Sequence, residues 1–202
     1  MILRRLGNKS KLAADIIQYF PPHKIYIEPF FGAGGMFFNK PKAQYNIVND
    51  IDSDVFNLFQ VVMNQKDELE KAFYIMPIHS DLLGYWKANK ETDSIRRALR
   101  FIMISNFTFN GAGSTLEFMA SNHKLYFMSK LGETMKYIFD VQFNNKDFRL
   151  FVKEILYRGD FEREKSFIYA DKPYSNTGNN YSNDWTAQDD IDLLDVLDST
   201  NI

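Results

Sequence analysis

The 202-residue chain contains no cysteine, only three histidines and no long apolar run. Without cysteine there is no disulfide, no thiolate chemistry and no cysteine-based zinc site, and three scattered histidines do not form a metal-binding pattern. No segment approaches the roughly 20 apolar residues that cross a bilayer, and the first residues lack the apolar core of a signal peptide. We therefore expect a cytoplasmic globular protein that uses no metal.

The chain has ample material for a folded core, because 45% of its residues are hydrophobic and 16% are aromatic. Its length fits one or two domains. The net charge of −2 is distributed unevenly: residues 85–165 carry 14 basic and 10 acidic side chains, whereas residues 166–202 carry one and seven. A basic middle segment is either a nucleic-acid footprint or a set of solvated helix faces, and charge alone leaves both interpretations open.

The N-terminal part predicts a βαβ unit. Residues 7–19 have helical spacing, and two prolines follow them. Residues 24–28 and 45–49 are short runs rich in β-branched and aromatic side chains, which predicts two strands. A glycine turn at 29–35 and a short helix beginning at Met36 lie between these strands. Strand, turn, helix and strand in this order are typical of parallel sheets.

Helical spacing dominates from residue 53 to about residue 145, apart from a polar loop at residues 110–115. Two further strands are predicted at residues 154–158 and 166–170, which are again short and apolar. The chain therefore predicts a sheet interrupted by a mostly helical insertion.

A last helix is predicted after Thr186, because Asp189 follows three residues later as in a capping box. Its spacing places Ile191, Leu194 and Leu197 on one side, which we expect to be buried.

Acidic residues stand at the ends of the predicted strands: Glu28, Asp50, Asp160 and Asp171. Ligands of open α/β sheets bind beyond the carboxyl ends of the strands. We therefore expect these four acids to surround one cleft.

The glycine turn at residues 32–35 lets backbone approach a ligand closely, although an ordinary tight turn would need the same glycines. Phe37 stands where a dinucleotide fingerprint requires its third glycine, which argues against a nicotinamide oxidoreductase. An acid in the position of Asp50 commonly accepts hydrogen bonds from ribose hydroxyls. These features predict a nucleoside-containing cofactor bound without a pyrophosphate.

The tetrapeptide Asp171-Lys172-Pro173-Tyr174 suits the recognition of an exocyclic amine. The Asp171 carboxylate and the Lys172 carbonyl can accept the two N–H bonds of adenine N6, and Tyr174 can stack on a base flipped out of its duplex. Two acceptors would localise the nitrogen lone pair for attack on an electrophilic methyl group. The alternative is a turn that merely ends a strand.

Five segments in order resemble the Dam-like (D12 class) adenine-N6 DNA methyltransferases, over residues 3 to about 197. Residues 3–9 resemble the family's N-terminal motif, 26–35 its cofactor loop and 49–52 its ribose-binding segment. Residues 159–161 resemble the segment that meets the cofactor's adenine, and 171–174 occupy the place of the catalytic Asp-Pro-Pro-Tyr.

The resemblance implies an α/β fold: a Rossmann-like class I methyltransferase sheet, truncated relative to the family, with an inserted, mostly helical DNA-recognition domain. The catalytic domain would comprise residues 1–52 and 146–202, and the target-recognition insertion residues 53–145. The family's cofactor is S-adenosyl-L-methionine, and its substrate is double-stranded DNA with a flipped adenine.

The resemblance also assigns roles to individual residues. It makes Asp171, Lys172, Pro173 and Tyr174 catalytic. It assigns cofactor binding to Leu6, Gly7, Lys9, Glu28, Pro29, Phe30, Gly32, Ala33, Gly34, Asp50, Ile51, Asp160, Phe161 and Asp171. It assigns DNA contact to Lys9, Arg96, Arg97, Arg100, Asn110, Gly111, Ser114, Thr115, Lys124 and Asn176.

The chain departs from the family in three places. Lys172 replaces a proline, so its φ is no longer locked and its ammonium is able to pair with Asp171. Arg5 stands where the family has an aromatic residue, and the family continues with further strands. The strand at 166–170 would then form a sheet edge, which we expect a second polypeptide or another copy of the chain to cover. An impaired homologue, or one subunit of a split enzyme, therefore stays an alternative to an active methyltransferase.

Overall fold

The computed structural model describes residues 2–3, 8–117, 123–173 and 185–202. Within these ranges the chain forms two compact units, which we describe separately. The sheet unit comprises residues 9–53 and 141–202, and the helical unit comprises residues 54–140 with those that precede Lys9. No helix in the described ranges is long and apolar enough to span a membrane.

The α-helices are, in chain order, α1 (Ala13–Ile17), α2 (Ser53–Asn64), α3 (Lys66–Ile75), α4 (Ser80–Ala88), α5 (Ser94–Phe107), α6 (His123–Ile138), α7 (Phe148–Lys153), α8 (Asp160–Glu164) and α9 (Ala187–Asp198). Short 3-10 helices lie at Lys9–Lys11, Phe37–Asn39 and Phe109–Gly111. The predicted N-terminal helix is therefore a 3-10 turn followed by the short α1.

The described sheet has four strands: β1 (Ile25–Glu28), β2 (Tyr45–Asn49), β3 (Gln142–Asn144) and β4 (Ser166–Ile168). Their order is β3-β2-β1-β4, and every neighbouring pair is parallel. Strands β1, β2 and β4 lie where the sequence predicts strands. The parallel sheet with its helices confirms the predicted α/β, Rossmann-like fold class.

Both faces of the sheet are covered, as is typical of parallel sheets. Ile25 and Ile27 of β1 face an aliphatic core that Phe151 and Val152 of α7 and Val196 of α9 complete. The opposite face carries aromatic rings that contact one another: Phe20, Tyr26, Phe37 and Phe167. All four β1 side chains are therefore buried.

The third strand is not at the predicted residues 154–158. The strand that pairs with β2 on the side away from β1 is β3, a short polar segment that precedes α7. Ile155 and Tyr157 instead pack against the aliphatic core without joining the sheet. Their apolar character reflects this packing, which a periodicity argument cannot distinguish from a buried strand.

Helix α9 begins with the predicted capping box, in which Thr186 and Asp189 exchange side-chain and backbone hydrogen bonds. Its predicted inner face is wrong. Leu193 and Val196 are the buried residues, whereas Ile191 and Leu194 are exposed. Val196 meets the sheet core, and Leu197 is only partly buried.

In the helical unit, α3 packs against α5 and α6. Phe73 of α3 and Phe127 of α6 lie at its centre with ring centroids 4.4 Å apart. Arg97 of α5 forms an ion pair with Asp54 of α2 at 2.5 Å, which joins these two helices.

The predicted polar loop after α5 is an ordered turn. Its base is closed by hydrogen bonds from the Phe109 and Glu117 amides to Thr115 and Phe107. Asn110 has a φ of +53°, a left-handed conformation that asparagine tolerates better than most residues. The loop therefore presents a fixed set of polar groups at the end of α5.

Candidate active site

Three of the predicted acidic residues share the carboxyl edge of the sheet. Glu28 ends β1, Asp50 follows β2, and Asp171 follows β4. The Tyr169 amide donates to the Ile27 carbonyl at 2.9 Å, so the chain runs beside β1 before it reaches Asp171. The negative charges of Asp50 and Asp171 both act on the Glu28 carboxyl, which places the three acids around one region.

The glycine turn after β1 is held against Asp50. The Gly32 amide donates to Oδ2 of Asp50 at 2.5 Å, and the Asp52 amide donates to Oδ1 at 2.8 Å. Gly32 has a φ of +54°, and a Cβ built there meets no atom within 4 Å. Gly34 has a φ of +72°, but a Cβ there would lie 2.6 Å from the ring of Phe38. Gly34 is therefore required for packing, while Gly32 borders open space beside a carboxylate.

Asn49 joins three strand ends and was not predicted as a site residue. Its side-chain amide donates to the carbonyls of Pro29 at 3.1 Å and Lys146 at 2.9 Å, and its Oδ1 accepts from the Lys146 amide. Asn145 also donates to the carbonyls of Asp50 and Ile51. The sequence signal for Asn49 is its position as a polar residue directly before Asp50, because a buried side-chain amide is usually fully hydrogen-bonded and so links neighbouring segments.

Two lysines form ion pairs at the segment that the sequence predicts to be catalytic. Nζ of Lys9 lies 2.9 Å from Oδ1 of Asp171, and both side chains are mostly buried. Nζ of Lys172 lies 2.7 Å from Oδ1 of Asp190 in α9. The Lys172 ammonium therefore pairs with Asp190, whereas the Asp171 carboxylate pairs with Lys9.

An aromatic cluster borders this edge. It consists of Phe30 in the glycine turn, Phe148 at the start of α7, and Trp185. The ring centroids lie 5.5 Å apart in each of the three pairs. Asp147 caps α7 by accepting from the Arg149 amide at 2.8 Å. The Asp147-Phe148 pair follows β3, so it occupies the strand end that the sequence prediction gave to Asp160-Phe161.

The prediction for Asp160 and Phe161 is corrected. Asp160 begins α8, and α8 leads into the amino end of β4. Phe161 is 63% exposed, and its ring lies 5.6 Å from Nζ of Lys24, which precedes β1. Both residues therefore lie at the edge of the sheet opposite Asp50 and Asp171, because residues 154–158 do not form the predicted strand.

A buried polar cluster lies beneath the glycine turn. The Tyr26 hydroxyl donates to Oε2 of Glu28 at 2.9 Å. Burial raises the pKa of Glu28 well above its ordinary value, and burial together with Glu28 raises the pKa of Tyr26. Nζ of Lys40 lies 3.9 Å from the Tyr26 ring centroid, and burial lowers the pKa of Lys40 to about 8. Burial therefore makes Glu28 hold its proton more tightly than an exposed glutamate does.

The other predicted site residues divide by exposure. Pro29 and Ala33 are buried within the turn, whereas Ile51 is exposed. Pro173 is partly exposed beside Lys172. Four predicted residues lie outside the described residues: Leu6, Gly7, Tyr174 and Asn176.

Three predicted DNA-contact residues make contacts inside the helical unit. Arg97 pairs with Asp54, and Arg100 donates to the Trp86 carbonyl at 2.8 Å. Lys124 donates to the carbonyls of Tyr74 and Met76 at 2.7 Å each, where α3 ends. Cations near unsatisfied carbonyls stabilise helix C-termini. The geometry therefore favours structural roles for Arg97, Arg100 and Lys124.

The remaining predicted DNA-contact residues are accessible in the helical unit. Arg96, Asn110, Ser114 and Thr115 are exposed, and Gly111 is partly exposed. The Ser114 carbonyl accepts a hydrogen bond from Nζ of Lys87 at 3.1 Å, so a lysine lies beside the loop after α5.

A family model for D12 class N6 adenine-specific DNA methyltransferase matches residues 6–201. The DNA adenine methylases of Salmonella typhi and Escherichia coli (strain K12) are each 32% identical over 115 residues, which cover 54% of this chain and 41% of those proteins. A DNA adenine methylase of Vibrio cholerae (strain El Tor Inaba N16961) is 28% identical over 216 residues, 98% of this chain and 76% of that protein. The chain thus covers less than half the length of the first two relatives.

The parallel sheet, with acidic residues at the carboxyl ends of its strands, defines a Rossmann-like methyltransferase fold. The chain belongs to the D12 class N6 adenine-specific DNA methyltransferase family, as its motifs predicted. Membership implies a methyl donor. Membership does not assign roles to individual residues, which are argued from the geometry described above.

Proposed function

We propose that this chain transfers a methyl group from S-adenosylmethionine to N6 of adenine in double-stranded DNA. The observation that carries the proposal is the position of Asp171, which follows β4 at the same sheet edge as Asp50 and the glycine turn. Family membership supports the reaction class. The names of the relatives, DNA adenine methylases, support adenine in DNA as the target.

The residues at this edge fit a cationic nucleoside. Asp50 supplies a partly exposed carboxylate beside the open space over Gly32. Phe30, Phe148 and Trp185 offer aromatic surface on which a purine can stack. When bound, S-adenosylmethionine supplies an electrophilic methyl group. The carboxylates of Asp50 and Asp171 make the edge attractive to a sulfonium.

The target amine is positioned by two acceptors in this proposal. The Asp171 carboxylate and the Lys172 carbonyl accept the two N–H bonds of adenine N6, which directs the nitrogen lone pair away from the ring plane. Lys9 holds the Asp171 carboxylate in place at 2.9 Å. After the C–N bond has formed, N6 carries one proton too many, and the Asp171 carboxylate is the adjacent base. Fixed acceptors of this kind lower the barrier by orientation.

The helical unit is proposed to contact DNA through the loop after α5 and the exposed side of that helix. Arg96, Asn110, Ser114 and Thr115 are the accessible candidates. Side chains of this type bind phosphate oxygens and base edges. DNA is an intracellular substrate, so the proposal keeps the predicted cytoplasmic location.

A partner at the sheet edge stays a separate prediction. Among the described strands β4 pairs with β1 only. Light scattering after size-exclusion chromatography tests whether a second copy covers it: a dimer supports the prediction, and a stable monomer contradicts self-association.

Methyl-labelled S-adenosylmethionine and adenine-containing duplex DNA test the proposed function. We expect label in DNA, recovered after digestion as N6-methyldeoxyadenosine. Binding of both ligands without transfer would contradict an active enzyme and favour the alternative of an impaired homologue or a subunit. Label on cytosine would contradict the target.

A further inference from the structure

We infer that the ion pair between Lys172 and Asp190 positions the catalytic segment, in place of the ring of the proline that Lys172 replaces. This inference rests on the proposed function, because the Lys172 carbonyl is one of the two proposed acceptors for adenine N6. Without a proline ring the φ of residue 172 is free to vary. A second constraint on this residue is therefore needed to keep its carbonyl in one orientation.

The contacts of Lys172 supply such a constraint. Its Nζ lies 2.7 Å from Oδ1 of Asp190 and 5.4 Å from the ring centroid of Trp185. The indole N–H of Trp185 donates to the same Oδ1 at 2.7 Å. One carboxylate oxygen therefore receives two donors, and the ammonium also lies over the aromatic ring that provides the second donor.

Asp190 and Trp185, which contact Lys172, are themselves held in place. Asp190 lies in the first turn of α9, where the helix dipole favours a carboxylate. Trp185 packs on Phe30 and Phe148, and Arg149 of α7 forms ion pairs with Asp189 and Asp192 of α9. Lys172 is thereby connected to a helix and to an aromatic cluster that borders the candidate site.

The same pair keeps the lysine away from the catalytic carboxylate. Lys9 already contacts Oδ1 of Asp171 at 2.9 Å, so a second lysine there would compete with the target amine for the other carboxylate oxygen. Asp190 holds the Lys172 ammonium instead. Lys172 and Asp190 are therefore positioning residues, since neither side chain is proposed to touch the adenine.

The pair also joins the two sides of residues 174–184, because Lys172 precedes them and Trp185 and Asp190 follow them. Both side chains are partly exposed, at 34% and 43%. Exposed pairs contribute little to stability and are screened by salt. The expected effect of breaking the pair is therefore on turnover, with a small effect on thermal stability.

The test uses 5-fluorotryptophan in the full chain, which has two tryptophans, Trp86 and Trp185. The Trp86 resonance is an internal control, and Trp185→Phe assigns the two signals. Lys172→Met and Asp190→Asn are expected to shift the Trp185 resonance and lower kcat about tenfold each. The double variant should be no worse than either single variant, since both remove one contact.

Two controls complete the experiment. Lys172→Arg retains a cation that can pair with Asp190, so it should recover activity relative to Lys172→Met and bring the Trp185 resonance back toward its wild-type position. Lys130→Met removes a comparable ion pair with Glu133 in α6 and should change neither readout. Melting temperatures, measured for each variant, separate misfolding from misplacement.

Each outcome decides the inference. An unchanged Trp185 resonance in Lys172→Met overturns the contact, and a shifted resonance with wild-type kcat overturns the positioning role. If the wild-type chain transfers no methyl group, the proposed function fails and the positioning role fails with it. The Trp185 resonance then still shows whether the ion pair exists.

Discussion

Lys9 and Asp171 form a partly buried ion pair, with Nζ of Lys9 2.9 Å from Oδ1 of Asp171, although 162 residues separate them. The pair connects the 3-10 turn at the start of the sheet unit with the segment that follows β4. It provides a cation for the carboxylate on which the proposed chemistry depends.

Replacing Lys9 tests this role. Lys9→Met keeps the length of the side chain but removes the cation that orients Asp171. We expect kcat to fall about tenfold or more, because small misplacements of catalytic groups are costly. Lys11→Met is the matched control, since Lys11 is exposed in the same turn. Equal activity of the two variants in a methyl-transfer assay would show that the pair is irrelevant to turnover.

Substitutions of Asp50 and Asp160 are expected to have different effects on cofactor affinity. Asp50 accepts from the Gly32 amide at the carboxyl edge of the sheet, and Asp160 begins α8 at the other edge. We expect Asp50→Asn to raise the Kd of S-adenosylmethionine about tenfold or more, because it removes a charge-assisted acceptor. Asp160→Asn should bind normally. Isothermal calorimetry measures both, and a weakened Asp160→Asn would restore the strand assignment that the structure corrects.

Alanine substitutions at Gly34 and Gly32 should destabilise the protein for different reasons. Gly34→Ala places a Cβ against the Phe31 and Phe38 rings at a φ of +72°. We expect a loss of roughly 2–4 kcal/mol in the free energy of unfolding, from backbone strain and overpacking. Gly32→Ala meets no atom, so its cost should be about 1–2 kcal/mol of strain, with weaker cofactor binding. Urea unfolding and calorimetry compare the pair; equal stability of the two variants would be inconsistent with this packing.

The buried Glu28 predicts a pH-dependent stability. Because burial raises its folded-state pKa above the unfolded value near 4.5, the folded chain retains a proton that the unfolded chain releases. Its contribution to stability is therefore complete below pH 4.5 and is lost as the pH rises toward the folded pKa. Measured between pH 5 and pH 8, Glu28→Gln should gain stability relative to wild type as the pH rises, by at most about 1.4 kcal/mol per pH unit.

Urea unfolding across that range measures the difference between Glu28→Gln and wild type. A difference that is constant with pH would mean that Glu28 has the same pKa in the folded and unfolded chain.

Much of the sheet could be predicted because strands β1, β2 and β4 contain β-branched and aromatic residues, and β1 is buried throughout while β2 and β4 are partly buried. Strand β3 could not, since Gln142-Phe143-Asn144 is short and polar and is defined by its pairing with β2. Ile155 and Tyr157 resemble strand residues but pack against the core beside α7, and Leu156 between them is exposed. The wrong strand assignment placed a predicted site residue at Asp160. The strand that is present, β3, is followed by Asp147.

The candidate site could be predicted in part for the same reason. Asp50 and Asp171 directly follow recognisable strands, so the parallel topology alone brings them to one edge. Asn49, by contrast, acts through hydrogen bonds to Pro29 and Lys146, which are distant in sequence. Basic residues were the least predictable group, since Arg97 and Lys124 are used inside the helical unit and composition does not distinguish such cations from DNA contacts.

The central claim is that the carboxylate of Asp171 accepts a hydrogen bond from the target amine. The most direct measurement compares methyl transfer to duplex DNA by wild type, Asp171→Asn and Asp160→Asn, with N6-methyldeoxyadenosine counted after digestion. The account predicts that Asp171→Asn folds, binds cofactor and yields no methylated adenine, while Asp160→Asn matches wild type. Turnover by Asp171→Asn at the wild-type rate would contradict it.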